Sequence, residues 1–210
     1  MTTLTQLSCQ EFLTELASDR PTPGGGGGAA IAGALAASLS SMVANLTVGK
    51  DKFAAHEAEV QTLLHDVENL RQRLLELVDE DARVFDNFMS CYKLPKSTEE
   101  EKAARTIAIR EAAKQAAEVP FNAAETCLEV LRIAVRLIEV GNPNVITDGT
   151  VSALLARAAM RSEIYNVHIN LVLTKDAIYN KGLQEKISLM EKESLELEEK
   201  AIKYTDAALA

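Results

Sequence analysis

Apolar residues recur along this chain with the three-to-four-residue spacing of helices, and no segment shows the alternation of a strand. The clearest pattern lies in residues 52–92, where one row repeats every seven residues. That row contains Val60, Val67, Leu74, Asp81 and Phe88. A second row, made mostly of leucine, lies between the positions of the first, so the pattern predicts one long packed helix.

Turn and capping residues divide the rest of the chain into five more predicted helices. We expect them over residues 8–18, 29–48, 97–140, 147–175 and 181–209. Ser97 and Glu100 form a capping box for the helix that starts at 97, and Pro120 kinks or interrupts that helix. Thr147 or Asp148 caps the helix after it. The sequence therefore predicts an all-α, single-domain bundle of long helices for the 210-residue chain.

Five consecutive glycines, residues 24–28, follow two prolines and precede the second predicted helix. Because glycine and proline disfavour helix interiors, we expect a loop here. Free amides at the start of the next helix make Gly24, Gly25 and Gly26 candidates for binding an anionic or carbonyl-bearing ligand. The alternative is a tight linker between close helices. No strand precedes the run, which argues against nucleotide binding.

Charge and composition narrow the classes of function. The net charge of −9 and the pI of about 5.0 argue against general affinity for nucleic acid or an anionic membrane. The most apolar segment, residues 29–46, contains three serines and is short for a bilayer, so we expect a buried core helix. Three scattered cysteines and the lack of a secretory signal indicate a cytoplasmic protein with free thiols. The three histidines lack the spacing of a zinc site.

Asp81 breaks the pattern of its own helix, because it occupies the apolar row between Leu74 and Phe88. A carboxylate on such a row is desolvated, which raises its pKa and favours proton transfer near neutral pH. The alternative is a structural carboxylate, tied to an arginine or a backbone amide.

Two asparagines, Asn166 and Asn170, stand one helical turn apart on one face. Buried asparagine is costly without hydrogen-bond partners, so this pair indicates either ligand binding or a polar clamp between helices. Asp148, by its position, is a first-turn acid or a capping residue as readily as a binding group.

Taken in order, these elements resemble the cyclodeaminase/cyclohydrolase family of folate enzymes. The resemblance covers residues 11–171 and rests on residues 21–26, 42–47, 49–50, 79–82, 85, 94–96, 119–120, 141–142, 147–148 and 166–170. The chain departs from the family at Gly27 and Gly28, where relatives usually have serine and a hydrophobic residue, and we expect a looser loop there. Thr147 also replaces a more usual serine.

The resemblance implies a cytosolic homodimer that uses no metal and no cofactor beyond its tetrahydrofolate substrate. A dimer is also favoured by the small residues of the second helix and by the long apolar row in residues 52–92. The family's catalytic acid falls on Asp81. The resemblance also suggests substrate-orienting groups, which are the glycine loop, Asn142, Asp148, Asn166 and Asn170. Lys50 is a candidate for the glutamate tail of the folate, or else a solvated surface lysine.

Three functions follow as hypotheses. The first is methenyltetrahydrofolate cyclohydrolase, favoured because the chain carries no formiminotransferase domain. The alternative is formiminotetrahydrofolate cyclodeaminase, which releases ammonia and forms 5,10-methenyltetrahydrofolate. The third is a non-catalytic helical module that binds folate.

Overall fold

A computed structural model describes residues 3–210. Within those residues, six α-helices account for most of the chain. They are α1 (Cys9–Leu16), α2 (Gly25–Asn45), α3 (Glu57–Cys91), α4 (Glu99–Val140), α5 (Ile146–Thr174) and α6 (Ala177–Leu209). Short 3-10 turns cover Leu4–Gln6, Asp51–His56 and Pro143–Val145. No strand forms between residues 3 and 210, so the predicted all-α fold is confirmed.

Helices α2, α3, α4 and α5 form a four-helix bundle, in which each helix contacts the next and α5 closes back on α2. α6 lies along α4 and α5. Buried apolar side chains from these five helices form one continuous core. α1 packs at one end on a smaller cluster formed by Phe12, Ala30 and Val78.

The apolar row of α3 faces the core as predicted, although its α-helix begins at Glu57, after a 3-10 turn. Val60, Val67 and Leu74 are fully buried on that row. α2 is long and apolar enough to cross a membrane, yet it packs against α3, α4 and α5 with most of its apolar stretch buried. Its small residues allow this close packing, since a methyl group on Gly33 would lie 2.6 Å from Cys127 Sγ.

The prediction of a loop over residues 24–28 is wrong, because the glycine run is helical. Gly24 is the N-cap residue and α2 begins at Gly25. Each glycine in a helix interior costs about 1 kcal/mol relative to alanine, which is why the sequence favoured a loop. Tertiary packing offsets this cost, since Gly26 and Gly27 are buried at the contact with α3. The looser loop expected at Gly27 and Gly28 is therefore also wrong.

The N-cap of α4 lies one residue later than predicted. Thr98, not Ser97, caps the helix: its hydroxyl accepts a hydrogen bond from the amide of Glu101, whose carboxylate reaches back to the amide of Thr98. The helix then continues to Val140 with Pro120 inside it, so a break at Pro120 does not occur.

The starts of α5 and α6 also differ from their predictions. α5 begins at Ile146, directly after a 3-10 turn, so neither Thr147 nor Asp148 is its N-cap residue. Asp148 instead lies in the first turn. α6 begins at Ala177, before the predicted residue 181, because the side chain of Asp176 caps it.

Candidate active site

Asp81 lies on α3 against the first turn of α2. Its carboxylate is so close to Gly26 that a methyl group on that glycine would lie 2.6 Å from Oδ1. The backbone amide of Gly27 favours the ionised form of the same carboxylate. Burial raises the pKa of Asp81 and outweighs the effect of this amide, which acts in the opposite direction. Asp81 is nevertheless only half-buried, so its carboxyl group is shielded without being sealed from solvent.

The first turn of α2 explains why the chain needs glycine here. The first amides of a helix have no partner within the helix, and they carry a partial positive charge. Gly24 has no side chain to cap them, and Asp81 supplies an acceptor from the neighbouring helix. Asp81 thus lies close to a backbone amide that favours its ionised form, as the structural alternative expects, and it is also desolvated, as the catalytic hypothesis requires.

Asn166 on α5 reaches the same turn of α2 from the other side. Its Oδ1 lies 3.5 Å from the position that a Cβ on Gly25 would occupy. Its Nδ2 donates to the carbonyl oxygen of Ser162 at 3.2 Å and faces Glu163 Oε2 at 3.4 Å. The structure therefore brings the predicted residues Gly25, Gly26 and Asn166 together with Asp81.

Glu163 is a site residue that the sequence analysis missed. Its side chain is 1% exposed. Burial, and next the charge of Asp81, raise the pKa of Glu163 to about 9, while the hydrogen bond with Asn166 lowers it. A signal existed in the sequence, since Glu163 falls on the helical row of Met160 and Val167, both fully buried. It is the same kind of exception as Asp81, on a less regular row.

Asn170 holds two helices together. Its Nδ2 donates to the carbonyl oxygen of Ala116 on α4 at 2.9 Å and to that of Asn166 at 2.9 Å. The amide nitrogen is thereby committed to backbone partners, which matches the polar-clamp alternative. Asn170 lies one turn beyond Asn166 and serves the packing of α5 on α4.

Lys50, Asn142 and Asp148 lie at the opposite end of the bundle. From Gly26, beside Asp81, to Asn45 at its other end, α2 rises by about 28 Å at 1.5 Å per residue. At the far end Lys50 Nζ donates to the carbonyl oxygen of Leu46 at 2.5 Å. Within one chain these three predicted binding residues therefore cannot share a site with Asp81.

The contacts of Asn142 show what that residue does instead. Its Nδ2 donates to the carbonyl oxygen of Leu46, its backbone amide donates to Thr47 Oγ1, and its Oδ1 accepts from the amide of Asn144. Asn142 thus joins the turn before α5 to the end of α2, and its polar groups are used within the fold.

A groove of about 770 Å³ lies on a different face, between α3, α4 and α6. Arg73 and Arg132 line it, and both are paired with carboxylates, Arg73 with Glu80 and Arg132 with Glu193. None of the predicted site residues lines this groove. We place the candidate site at Asp81, because the groove has volume but no desolvated acid or base.

The geometry at Asp81 suits proton transfer. Asp81 lies against the glycine-lined start of α2, and Glu163 lies next to Asn166. Neither carboxyl group forms an ion pair within residues 3–210. Their environments differ, because Asp81 is half-buried whereas Glu163 is fully buried. Pairs of acids in such different environments are typical of acid–base sites. Among the described residues, no group of three or more His, Cys, Asp and Glu side chains is arranged to hold a metal ion.

Comparison with known sequences identifies relatives of this chain. A sequence model described as formiminotransferase-cyclodeaminase matches residues 8–189. The chain is 48% identical over 161 residues to a methenyltetrahydrofolate cyclohydrolase from Methylorubrum extorquens, covering 77% of each protein. It is 32% identical over 191 residues to the formimidoyltransferase-cyclodeaminase of Rattus norvegicus, covering 91% of this chain. The match covers only 35% of that longer relative.

Comparison with solved structures gives a match along nearly the whole chain. The crystal structure of a formiminotetrahydrofolate cyclodeaminase from Thermotoga maritima superposes with a TM-score of 0.88. The superposition covers 98% of both chains at 30% sequence identity. The bundle described above is therefore the fold of that protein.

Proposed function

This chain belongs to the formiminotransferase-cyclodeaminase family, and we propose that it is a methenyltetrahydrofolate cyclohydrolase with Asp81 as general acid and base. The observation that carries the proposal is the desolvated carboxylate of Asp81, set against the glycine backbone where α2 begins. The identity of 48% to a protein named for that activity supports the cyclohydrolase over the other reaction of the family.

The reaction adds water to the cationic carbon of the 5,10-methenyl bridge and opens the ring to 10-formyltetrahydrofolate. As the C–O bond forms, ionised Asp81 removes one proton from the attacking water. The neutral Asp81 then gives this proton to ring nitrogen N5 as the C–N5 bond breaks. The remaining hydroxyl proton of the adduct leaves to solvent as the formyl carbonyl forms. One carboxyl group thus serves both steps and is regenerated.

The surroundings of Asp81 supply the remaining requirements. An ionised carboxylate favours the positive charge of the methenyl bridge electrostatically. We assign the orientation of the pterin to Asn166 and to the backbone at Gly24, Gly25 and Gly26, the helix start against which Asp81 lies. We propose no substrate contact for Lys50, Asn142, Asp148 or Asn170, given their positions in the fold. The proposed chemistry calls for no cofactor beyond the tetrahydrofolate substrate.

The second candidate function is formiminotetrahydrofolate cyclodeaminase. The full-length structural likeness to the Thermotoga maritima protein favours it. In that reaction the aniline nitrogen N10 attacks the formimino carbon and ammonia leaves. Asp81 would accept the proton from N10 and deliver it to the departing nitrogen, so the same carboxyl group suits either substrate.

Asp81→Asn tests the catalytic role. We expect the variant to lose about a hundredfold or more in kcat, since general acid–base groups contribute roughly 10²–10⁴. Loss of methenyl absorbance measures the cyclohydrolase, and ammonia release from formiminotetrahydrofolate measures the cyclodeaminase. Asp86→Asn, an exposed change on the same helix, serves as the matched control.

The outcomes of this test separate the hypotheses. Turnover of the methenyl substrate alone, abolished in Asp81→Asn, supports the proposal. Ammonia release without methenyl hydrolysis would show that the second function, the cyclodeaminase, is the correct one. Folate binding without either reaction in the unmodified protein leaves a binding module. An active Asp81→Asn variant removes Asp81 from catalysis.

We further propose that the protein works as a homodimer in the cytoplasm. The support for a dimer is an apolar surface, here called the α2/α5 face. Its exposed residues are Leu35 and Met42 on α2, Leu46 directly after it, and Val151, Leu154, Tyr165, Ile169 and Val172 on α5. Exposed apolar patches of this kind mark protein interfaces, and a second copy would cover the face symmetrically. The free thiols of Cys9, Cys91 and Cys127 suit a reducing compartment.

A further inference from the structure

Glu163 lies behind the site, and the proposed mechanism does not use it. We propose that Glu163 is a positioning residue that works as a neutral carboxylic acid, acting on Asp81 through space and on Asn166 through a hydrogen bond. The inference rests on the proposed function, because it concerns how Asp81 is kept ready for proton exchange. Glu163 itself is 1% exposed and is not expected to touch substrate.

Glu163 is buried where α5 packs against α2 and α4. α2 contains no ionisable residue. α3 contributes Asp81, whose charge acts directly on Glu163. α4 contributes the thiol of Cys127, which is fully buried and whose pKa is raised by burial and by Glu163. On α5 the polar neighbour is Asn166, and no group of α6 is among the causes of the shift at Glu163.

These surroundings determine the charge of Glu163. A buried carboxylate without a cationic partner is costly, so the group keeps its proton. A nearby ionised Asp81 adds repulsion, and two close carboxyl groups then share a single negative charge. The pKa of Glu163, about 9, leaves it neutral at pH 7, and we assign the ionised form to the less buried Asp81.

A neutral Glu163 has two consequences for the reaction. Its carboxyl group holds Asn166 Nδ2 and so fixes the side chain that faces Gly25. It also keeps a second negative charge away from Asp81. If Glu163 ionises, the added charge raises the pKa of Asp81, and protonated Asp81 then releases its proton to N5 less readily.

The pH profile of the enzyme tests this inference. In the unmodified protein we expect kcat/KM to fall above about pH 9, up to tenfold per pH unit, after subtraction of uncatalysed hydrolysis. Glu163→Gln cannot ionise, so this alkaline fall should disappear. Glu163→Leu also removes the hydrogen bond to Asn166 and should lower kcat/KM more than Glu163→Gln at every pH. Glu196→Gln, an exposed change on α6, should keep the unmodified profile.

Thermal unfolding provides a readout that does not depend on activity. The pKa of Glu163 is raised from 4.5 in the unfolded chain to about 9 in the fold, so the folded state binds the extra proton between these values. This proton's stabilisation is complete below about pH 4.5 and is lost as pH rises towards 9. One proton changes the unfolding equilibrium up to tenfold per pH unit. The melting temperature of Glu163→Gln should therefore fall less with rising pH than that of the unmodified protein.

Combining the two readouts separates failure of the inference from failure of the proposed function. If the melting temperatures of Glu163→Gln and of the unmodified protein change with pH in the same way, Glu163 is already ionised in the fold. That result would overturn the inference. So would an alkaline fall in kcat/KM that survives in Glu163→Gln. The third outcome is a protein that turns over no folate but whose melting temperature still differs from that of Glu163→Gln in a pH-dependent way. That outcome would reject the proposed function and would still support a neutral Glu163.

Discussion

Gly26 is the residue whose missing side chain sets the position of Asp81. In Gly26→Ala the new methyl group would meet Asp81 Oδ1 at 2.6 Å and its Cγ at 2.8 Å, so the carboxyl group must move. Displacement of a reacting group by about 1 Å can cost roughly a hundredfold in rate. We expect a loss of kcat of that order, measured by methenyl hydrolysis.

The glycine run supplies the control for this prediction. In Gly28→Ala the nearest atom to the new methyl group is Leu16 Cδ2 at 3.6 Å, an ordinary contact. We expect this variant to keep its activity and to gain about 0.5–1 kcal/mol in stability, because alanine favours the helix. Equal activity losses in both variants would show that helix flexibility, rather than the position of Asp81, accounts for the effect.

The two acids of the site differ in how far the sequence could reveal them. Asp81 interrupts a row with large apolar residues at regular seven-residue intervals, so its burial could be predicted. Glu163 interrupts a row that begins with Ala153 and Ala156, and alanine marks a buried face weakly because it occurs on exposed faces too. Its partner Asp81 lies 82 positions earlier in the chain, and no local pattern connects residues that far apart.

At the scale of helices, side-chain caps fix where elements begin. Thr98→Ala removes the hydroxyl that accepts from the Glu101 amide at 3.2 Å. We expect the free energy of unfolding to fall by about 1 kcal/mol, measured by urea denaturation, with activity unchanged. Ser97→Ala is the matched control, because the amide of Ser97 donates to Glu101 and survives the change. If Ser97→Ala lowers the free energy of unfolding more than Thr98→Ala does, Ser97 is the capping residue, as the sequence pattern predicts.

The helix ends also show what local sequence can and cannot predict. The predicted capping box, Ser97 with Glu100, lies one residue before the observed box, since serine and threonine both suit the cap. The predicted loop at the glycine run is wrong, since intrinsic propensity describes an isolated segment. What makes residues 25–28 helical is the approach of α3 and α5, which only the assembled bundle provides.

At the scale of the whole molecule, the bundle leaves its α2/α5 face open beside the site. Tyr165 and Ile169, which flank Asn166 along α5, are 68% and 65% exposed. α2 and α5 are joined directly by the hydrogen bond between Ser40 and Ser152, so their outer apolar residues form one surface. A second copy on this surface would shield the site from the side of Asn166.

Leu35→Glu tests this interface, since Leu35 is 56% exposed on the outer side of α2. Around a twofold axis each substitution occurs twice, so the variant brings two carboxylates into an apolar contact, where unpaired charges cost several kcal/mol. In sedimentation we expect a dimer of the 22.8 kDa chain for the unmodified protein and a folded monomer for Leu35→Glu. Ile107→Glu, at a site 62% exposed on α4, should stay dimeric. If the unmodified protein sediments as a monomer, or Ile107→Glu alone dissociates, the second copy does not lie on this face.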